Sequence, residues 1–477
     1  MHSRKRERSV VEAWRRHSPG GSSRGAILQA LAAREIAPAR AGPSGAAAWG
    51  SLACFGVESE FDMHDPEALR LFRLPQLRRR SKVIEIVCSD DVVVALTLSG
   101  VACAFKDGRR VAFLNVTPDE MVRSVIFNRR SASFVTVSTY RADHFSSLHC
   151  RSTLVEWVRR GEPEAGLPIF QQEELRWPGF VEFDEVSCRA VTFSAADRTY
   201  GIWELANFSL LFRLRDPEIA EVKAAARNAL LVVHRRKADA MRVQVLSIAD
   251  GTSLHDLEHP LSAARVSRIE LFDDRLLVQQ EGGPIRITDV RTRATFQVAA
   301  GQLQAPSSTL HLYERNLFLA VSQRALAVFS LQGDRLLGME DHTLWCDGES
   351  AMSNLYVTTA QDFVLSYCAR PNTDRRAGGT INVSSLRTGE CVAKLAAGAP
   401  LPELADVTAL SFSEARSELY VGSRKGSLFV WSLFGVAAGD SREAKPAWPL
   451  DEGATPHSPT PSPPHSPPTF PTPSPPH

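Results

Sequence analysis

The segment from Arg141 to Trp177 holds several residues whose types suggest chemistry. His144, His149 and Cys150 lie close together in it. Zinc takes four ligands, usually as two closely spaced pairs. The neighbouring sequence offers no second Cys or His pair, so we predict a polar hairpin here and expect neither a metal nor another cofactor.

Two pairs of adjacent acids, Asp90–Asp91 and Asp273–Asp274, stand between β-rich runs. Aspartate favours turns at such positions, and neither pair has an evident catalytic partner. The sequence also contains neither the GxSxG nucleophile elbow nor the GxxxxGK[ST] phosphate loop. We therefore predict that the chain is not an enzyme.

Aromatic and cationic side chains mix in the same segment, as Trp157, Arg159, Arg160, Arg176 and Trp177. Tryptophan and arginine are enriched in the hot spots of protein interfaces. Nucleic acid could also use them, through stacking and phosphate contacts. Glutamates interleaved with the arginines interrupt the positive field, which favours a protein partner over a nucleic acid. The structural alternative is a solvated loop with partly buried tryptophans.

The composition is that of an ordinary soluble globular protein. The chain has 477 residues, a formal net charge of +1, 44% hydrophobic residues and 23% charged residues. A net charge near zero argues against a general binder of nucleic acid or anionic membranes. The cysteines are scattered without a CxxC pair, which favours reduced thiols in the cytoplasm or the nucleus. No run approaches the ~20 apolar residues that span a bilayer, so no membrane segment is expected.

The two ends of the chain differ in amino-acid composition from its middle. Residues 1–80 form a basic leader rich in Ala, Gly and Arg, and residues 436–477 form a tail rich in Pro, Ser and Thr. We expect both to be largely disordered. The RKRER run at residues 4–8 suits a nuclear-import patch, an organelle transit peptide or a plain solvated tail. The tail carries PxxP and Ser-Pro motifs that SH3 domains, WW domains or proline-directed kinases could use.

Between residues 81 and 435, short β-rich runs alternate with turns. A polar turn residue is followed six positions later by a bulky apolar residue, as from Lys425 to Trp431 and from Asp197 to Trp203. A hairpin that recurs about every forty residues indicates a β-propeller. We therefore predict an all-β propeller of four-stranded blades. Eight units can be counted, and seven blades stay open because the segment 362–379 is ambiguous.

The eighth unit shows only three β-rich runs, from Val407 to Leu433. We expect the LRLFRL run at residues 69–74 to supply the fourth strand and to close the ring. Segments 141–177 and 362–379 are interpreted as insertions, because they break the rhythm of the runs. The HTLWC run at residues 342–346 is interpreted as the first strand of the seventh unit.

These features resemble the WD40-repeat family over about residues 82–435. In that family a Ser or Thr, a turn Asp, a strand Trp and a loop His form a hydrogen-bonded set. Ser194, Asp197 and Trp203 fall at this spacing, His342 follows an acidic pair as the loop His would, and Trp431 holds the Trp position of the last unit. The blocks KVIEIVCSDDVVVALTLSGV and WPGFVEFDEV resemble a plant and green-algal subgroup.

The resemblance implies a non-enzymatic scaffold that binds partner proteins through its loops and rim. WD40 substrate receptors of cullin-4 ubiquitin ligases often carry a Trp-Asp-x-Arg box whose Arg contacts the adaptor. This sequence has Asp289 and Arg291 at those positions, with Thr288 in place of Trp. A ligase receptor is therefore one alternative, and an enzyme with a site at the propeller mouth is an alternative of another class.

Overall fold

A computed structural model describes most of the chain between residues 56 and 432. The described residues are 56–64, 74–171, 175, 179–184, 187–225, 228–237, 239–298, 303, 306–345, 353–358, 361–370, 378–395, 401–414, 416 and 418–432. The expectations for the leader up to residue 55 and for the tail from residue 436 lie outside the described residues.

The described residues form eight four-stranded antiparallel sheets. The first two are β2 to β5 (Val83–Cys88, Val93–Thr97, Ala102–Lys106, Arg109–Phe113) and β6 to β9 (Glu120–Asn128, Ser133–Tyr140, His149–Leu154, Leu167–Ile169). The third and fourth are β10 to β13 (Phe180–Asp184, Arg189–Ser194, Thr199–Glu204, Leu210–Arg215) and β14 to β17 (Ile219–Ala225, Ala229–His234, Ala240–Ser247, Ser253–Pro260).

The fifth and sixth sheets are β18 to β21 (Val266–Phe272, Arg275–Gln280, Ile285–Asp289, Thr295–Gln297) and β22 to β25 (Ser308–Leu312, Leu317–Ser322, Ala325–Ser330, Arg335–Thr343). The seventh is β26 to β29 (Leu355–Val357, Phe363–Cys368, Thr380–Ser385, Cys391–Leu395). The eighth joins β30 to β32 (Val407–Ser413, Glu418–Ser423, Ser427–Ser432) to β1 (Gly56–Asp62). One α-helix, α1 (Val155–Arg160), lies between β8 and β9.

Consecutive sheets stack on one another through eight hydrophobic clusters. The second strand of the first blade, β3, is buried along its whole length, because neighbouring blades cover both of its faces. Each cluster draws side chains from two successive blades, and one joins Ile86 and Val93 of the first blade to Ala409 and Leu428 of the eighth. The stack therefore returns on itself as an eight-bladed propeller, which confirms the predicted all-β class and selects eight blades over seven.

The strand that closes the ring is β1. It pairs antiparallel with β32, placing Val57 opposite Trp431 and Phe61 opposite Leu428. The assignment of this strand to LRLFRL was wrong, because the fourth strand of the eighth sheet lies at Gly56–Asp62, within the segment that the sequence assigned to the leader. Of LRLFRL only Leu74 is described, and it lies buried before a 3-10 turn at Pro75–Arg78.

Two other assignments in the propeller need correction. The segment 362–379, interpreted as an insertion, contains β27, the second strand of the seventh blade. HTLWC is not the first strand of that blade: β25 of the sixth blade runs through Thr343, and Leu344 then bridges Cys368. The fourth blade also has an outer strand, β17, which lacked a strand signal because most of its side chains are polar and exposed.

A glycine is required in the tight turn between β31 and β32. Gly426 has a φ of +91°, and a Cβ there would lie 2.8 Å from the carbonyl oxygen of Ser81. Only glycine combines this backbone conformation with such a close approach. No helix within the described residues is long and apolar enough to cross a membrane.

Candidate functional site

The predicted first insertion is the outer half of the second blade. Within 141–177 the structure places β8, α1, a 3-10 turn at Pro163–Ala165 and β9, so this segment supplies the third and fourth strands of the blade. Arg176 and Trp177, two of the predicted partner-binding residues, lie outside the described residues. The remaining three, Trp157, Arg159 and Arg160, belong to α1.

Helix α1 is fixed by its apolar face and by its C-terminal glycine. Val155 and Val158 are buried in the cluster between the first and second blades. Gly161 ends the helix with a φ of 76°, and its backbone N–H donates to the carbonyl of Val158 at 3.0 Å. A glycine in the left-handed conformation is a common helix stop. The helix therefore has a defined position against the first blade.

The two arginines of α1 are engaged within the chain. Arg159 donates to both carboxylate oxygens of Asp91, at 2.8 Å from Nε to Oδ2 and 2.6 Å from Nη2 to Oδ1. Arg160 pairs with Glu156 at 2.9 Å. Partial burial would raise the pKa of Asp91, but hydrogen bonds from Arg159 and Lys106 outweigh it and lower the pKa. Asp91 is thus an ionised anchor for the helix.

Trp157 faces a groove of about 500 Å³ between the second and third blades. We call this the blade 2–3 groove. It is lined by Ser131, Ser152, Leu154, Trp157, Leu167, Pro168, Ile169, Phe170, Gln171, Trp203, Asn207 and Phe208. All of these side chains are neutral, and most are apolar.

The groove has an aromatic floor and leucines at its edge. The ring of Phe170 lies 4.8 Å from that of Trp203 and 5.9 Å from that of Phe208, between centroids. Leu154 is 38% exposed and Leu167 is 62% exposed. Leu167 belongs to β9, the outermost strand of its sheet, so the apolar surface continues to an open strand edge.

Hydroxyl groups form a polar end of the groove. The Ser133 hydroxyl shares a hydrogen bond with the hydroxyl of Ser131 at 2.7 Å. It also accepts a hydrogen bond from the hydroxyl of Ser152 at 2.8 Å. An apolar surface with a few grouped hydrogen-bonding sites can bind a peptide side chain and its backbone together.

Trp203 links this groove to the polar set predicted for the third blade. Its indole N–H donates to the hydroxyl of Thr192 at 2.9 Å, two residues before the predicted Ser194. Burial would raise the pKa of Asp197, but hydrogen bonds from the hydroxyls of Ser194 and Thr199 lower it. The structure therefore places Ser194 with Asp197, and Thr192 with Trp203.

His342, predicted as the loop histidine, lies instead on strand β25, at the boundary of the sixth and seventh blades. His342 is 3% exposed, and its Nδ1 lies 3.2 Å from the hydroxyl of Ser366. Burial lowers the pKa of His342 to about 4. His259, between the fourth and fifth blades, makes a similar contact with Thr288 at 3.4 Å. Trp431 is buried in the eighth blade, and its indole N–H has no hydrogen-bond partner among the described residues.

Asp289 and Arg291 lie at the rim of the fifth blade. Asp289 accepts the backbone N–H groups of Arg291 and Thr292 at 2.8 and 2.9 Å, and it also pairs with Arg275. These contacts make Asp289 a turn cap. Arg291 pairs with Asp274 at 2.8 Å while its side chain stays 61% exposed.

Cys150 and His149, which were considered as metal ligands, make packing contacts within the chain. Cys150 is buried, and desolvation raises the pKa of its thiol. The His149 ring packs edge-on against Tyr140 at 4.9 Å. In the part of the chain that the structure describes, no group of three or more His, Cys, Asp or Glu side chains could hold a metal ion.

Charged residues on the innermost strands were missed by sequence reasoning. Lys223 on β14 donates to Glu270 on β18 at 3.0 Å and to the carbonyl of Ile269 at 2.9 Å. Glu182 on β10 is 7% exposed. Burial raises the pKa of Glu182 to about 8 against the opposing effect of Lys223. The sequence did contain a signal for these buried charges, because charged residues interrupt the apolar strands FVEFD, IAEVKAA and VSRIELF.

Together these features define an eight-bladed β-propeller with an apolar, uncharged groove at its rim. The chain belongs to the family described as Domain of unknown function (DUF7899), whose model matches residues 50–431. No curated protein matches the chain.

Many solved structures are similar to this chain, and three of them illustrate the likeness. The computationally designed Ika8 protein is 16% identical, with 74% of this chain and 97% of that chain covered and a TM-score of 0.46. BamB from Moraxella catarrhalis is 12% identical, with 81% and 99% covered and a TM-score of 0.40. The C-terminal WD40 domain of Sif2 is 11% identical, with 80% and 100% covered and a TM-score of 0.46.

Proposed function

We propose that this protein is a non-enzymatic scaffold that binds a partner protein in the blade 2–3 groove. The groove itself carries the proposal. It joins aromatic rings, a largely exposed leucine and a cluster of serine hydroxyls around about 500 Å³ of open space. Tryptophan is enriched in interface hot spots, and clefts lined by apolar and aromatic side chains with a few hydrogen-bonding groups are typical binding sites.

The rigid setting of the groove also favours binding. β8, β9 and α1 are tied into the second blade by strand pairing and by the Asp91–Arg159 ion pair. A surface that is already ordered loses little conformational entropy when a partner binds. The uncharged lining suits contact with a protein better than general acid–base chemistry, which needs a titratable group at the reacting atoms.

The proposal is tested by affinity purification and mass spectrometry of the full-length protein. Leu167→Asp puts a charge at the groove edge, and we expect it to remove the main partner from the recovered proteins. Leu254→Asp is the matched control, because Leu254 is a 50% exposed leucine on another outer strand. Equal recovery of all partners by the wild type and both variants would count against the groove.

A substrate receptor of a cullin-4 ligase is the second candidate. Arg291 supports it, because its guanidinium is largely exposed while the backbone turn is fixed by Asp289. Arg387 is a matched control, because it follows Ser385 in the corresponding turn of the seventh blade, where Ser385 caps the turn. Binding of the purified cullin-4 adaptor should be lost with Arg291→Ala and kept with Arg387→Ala. No binding by the wild type would dismiss this candidate.

Other parts of the proposal rest on the sequence alone. Membership of a plant and green-algal subgroup stays a prediction, as does a location in the cytoplasm or nucleus. The SH3, WW or kinase contacts of the Pro-rich tail also stay predictions.

A further inference from the structure

We infer that the junction of the eighth and first blades carries a second binding surface, for an acidic segment of a partner protein. We call it the seam patch. Its members are the cations of the loop before β2 and of the turn between β31 and β32. They are Arg78, Arg79, Arg80, Lys82, Arg424 and Lys425.

Closure of the ring brings these two regions together. The Arg80 guanidinium donates to the carbonyl oxygen of Lys425 at 3.2 Å. The same guanidinium binds both oxygens of Asp62, at the end of the closing strand, at 3.1 and 2.8 Å. The backbone N–H of Met63 donates to the carbonyl of Gly426 at 3.1 Å. The loop, the closing strand and the turn thus form one surface.

The charges of the seam patch do not cancel locally. Arg80 pairs with Asp62, and Arg424 pairs with Asp406 at 2.9 Å. Six cations less these two acids leave +4, whereas the whole chain has a net charge of +1.

The other four cations, Arg78, Arg79, Lys82 and Lys425, contact no acid among the described residues. Segment 65–73 lies outside the described residues, and its two acids and two arginines cancel in formal charge. Among the described residues, the seam patch therefore carries more positive charge than its acids neutralise.

The exposed surroundings favour an acidic protein segment over other anionic partners. Leu98 is 57% exposed, and its backbone N–H donates to the carbonyl of Lys82 at 2.9 Å. One aliphatic side chain beside four cations that pair with no acid in the described residues suits a peptide that mixes carboxylates with an apolar residue. Single-stranded nucleic acid binders add aromatic stacking platforms, and membrane-surface binders add a broad apolar face. Arginine suits carboxylates well, because its planar donors bind both oxygens at once.

The surface is also independent of the blade 2–3 groove, since the two share no residue. Because Arg80 already spans the closing strand and the β31–β32 turn, the backbone segments that carry the other cations are held together before a partner arrives. An acidic segment bound across the seam would also favour the closed ring, since a ligand that binds the folded state alone stabilises it.

The test uses the full-length protein and a fluorescein-labelled peptide of alternating Glu and Asp residues with one central Leu. Binding is followed by fluorescence anisotropy at low and at physiological salt. The variant is Arg78→Glu/Arg79→Glu, which reverses two exposed cations that have no acidic partner in the described residues. The control is Arg335→Glu/Arg387→Glu, which makes the same change in net charge at exposed positions elsewhere.

We expect the seam variant to weaken peptide binding about tenfold and the control variant to weaken it less than twofold. Wild-type affinity should also fall as salt is raised. Equal weakening by the two variants would overturn the inference, because it would show a general charge effect. Tighter binding of oligouridylate RNA or of phosphatidylserine vesicles than of the peptide, lost in the seam variant, would overturn the choice of partner. Failure of the Leu167→Asp experiment would leave this result unaffected.

Discussion

The rings of Phe61 and Phe105 stack with their centroids 4.5 Å apart and their planes at 28°. Phe61 belongs to the closing strand of the eighth blade, and Phe105 belongs to β4 of the first blade. This contact therefore joins the two ends of the propeller. It also explains why a strand so far from β32 in sequence completes the eighth sheet, since pairing with β32 brings Phe61 to the core of the first blade.

We predict that Phe61→Ala lowers the free energy of unfolding by about 2 kcal/mol. The change removes a partly buried ring from the cluster that closes the propeller, and such truncations lose both transfer energy and packing. Urea unfolding followed by tryptophan fluorescence measures it. Phe296→Ala is the control, because Phe296 is 46% exposed on an outer strand. Similar midpoints for the two variants would show that Phe61 does not contribute to closure.

We predict a modest coupling between Asp91 and Arg159, of about 0.3–1 kcal/mol, because both side chains remain about one-third exposed and water screens their charges. A double-mutant cycle with Asp91→Asn and Arg159→Gln measures it, and the coupling should shrink in 1 M NaCl. Partner recovery by Arg159→Gln should match that of the wild type, because the buried side chains of Val155 and Val158 still hold α1 when this weak, partly exposed ion pair is lost. A selective loss of the partner would instead identify Arg159 as a direct contact.

We predict that His342 makes the protein less stable in mild acid. Burial lowers the pKa of His342 from its ordinary 6.5 to about 4. The unfolded chain therefore takes up a proton that the folded chain refuses, and stability falls as the pH drops from about 6.5 towards 4. The melting temperature of His342→Gln should depend less on pH in this window than that of the wild type. His255→Gln, at a more exposed histidine, should follow the wild type; identical pH profiles for all three proteins would refute the prediction.

We predict the opposite pH dependence for Glu182. Burial raises its pKa from 4.5 to about 8. Its contribution to stability is fully present below pH 4.5 and is lost as the pH rises through 8, because the folded state must then hold a buried carboxylate. The melting temperature of Glu182→Gln should therefore rise relative to the wild type between pH 6 and pH 9. Glu258→Gln, at an exposed acid of β17, should show no such trend. A constant difference for Glu182→Gln would mean that Lys223 fully compensates the buried charge.

The sequence alone indicated some features of the candidate site but not the contacts of its charged residues. Trp157 was singled out by residue type, and the structure places it in the blade 2–3 groove. Arg159 and Arg160 were chosen by the same criterion, yet they form ion pairs with Asp91 and Glu156. Residue type indicates which contacts a side chain can make. Only the positions of Asp91 and α1 decide that Arg159 makes one within the chain.

The repeated β-hairpins, and the propeller that they build, could be predicted from local sequence pattern. Alternating apolar runs and turn residues are local signals, and stacked blades are the arrangement that buries both faces of every sheet. The closing strand, the mostly polar strand β17 and the partners of Arg159 were decided by tertiary structure. Each of them depends on a contact between residues far apart in the chain, and local pattern carries no information about which distant surface a strand or a charge will meet. The contact of Phe61 with Phe105 shows this most clearly.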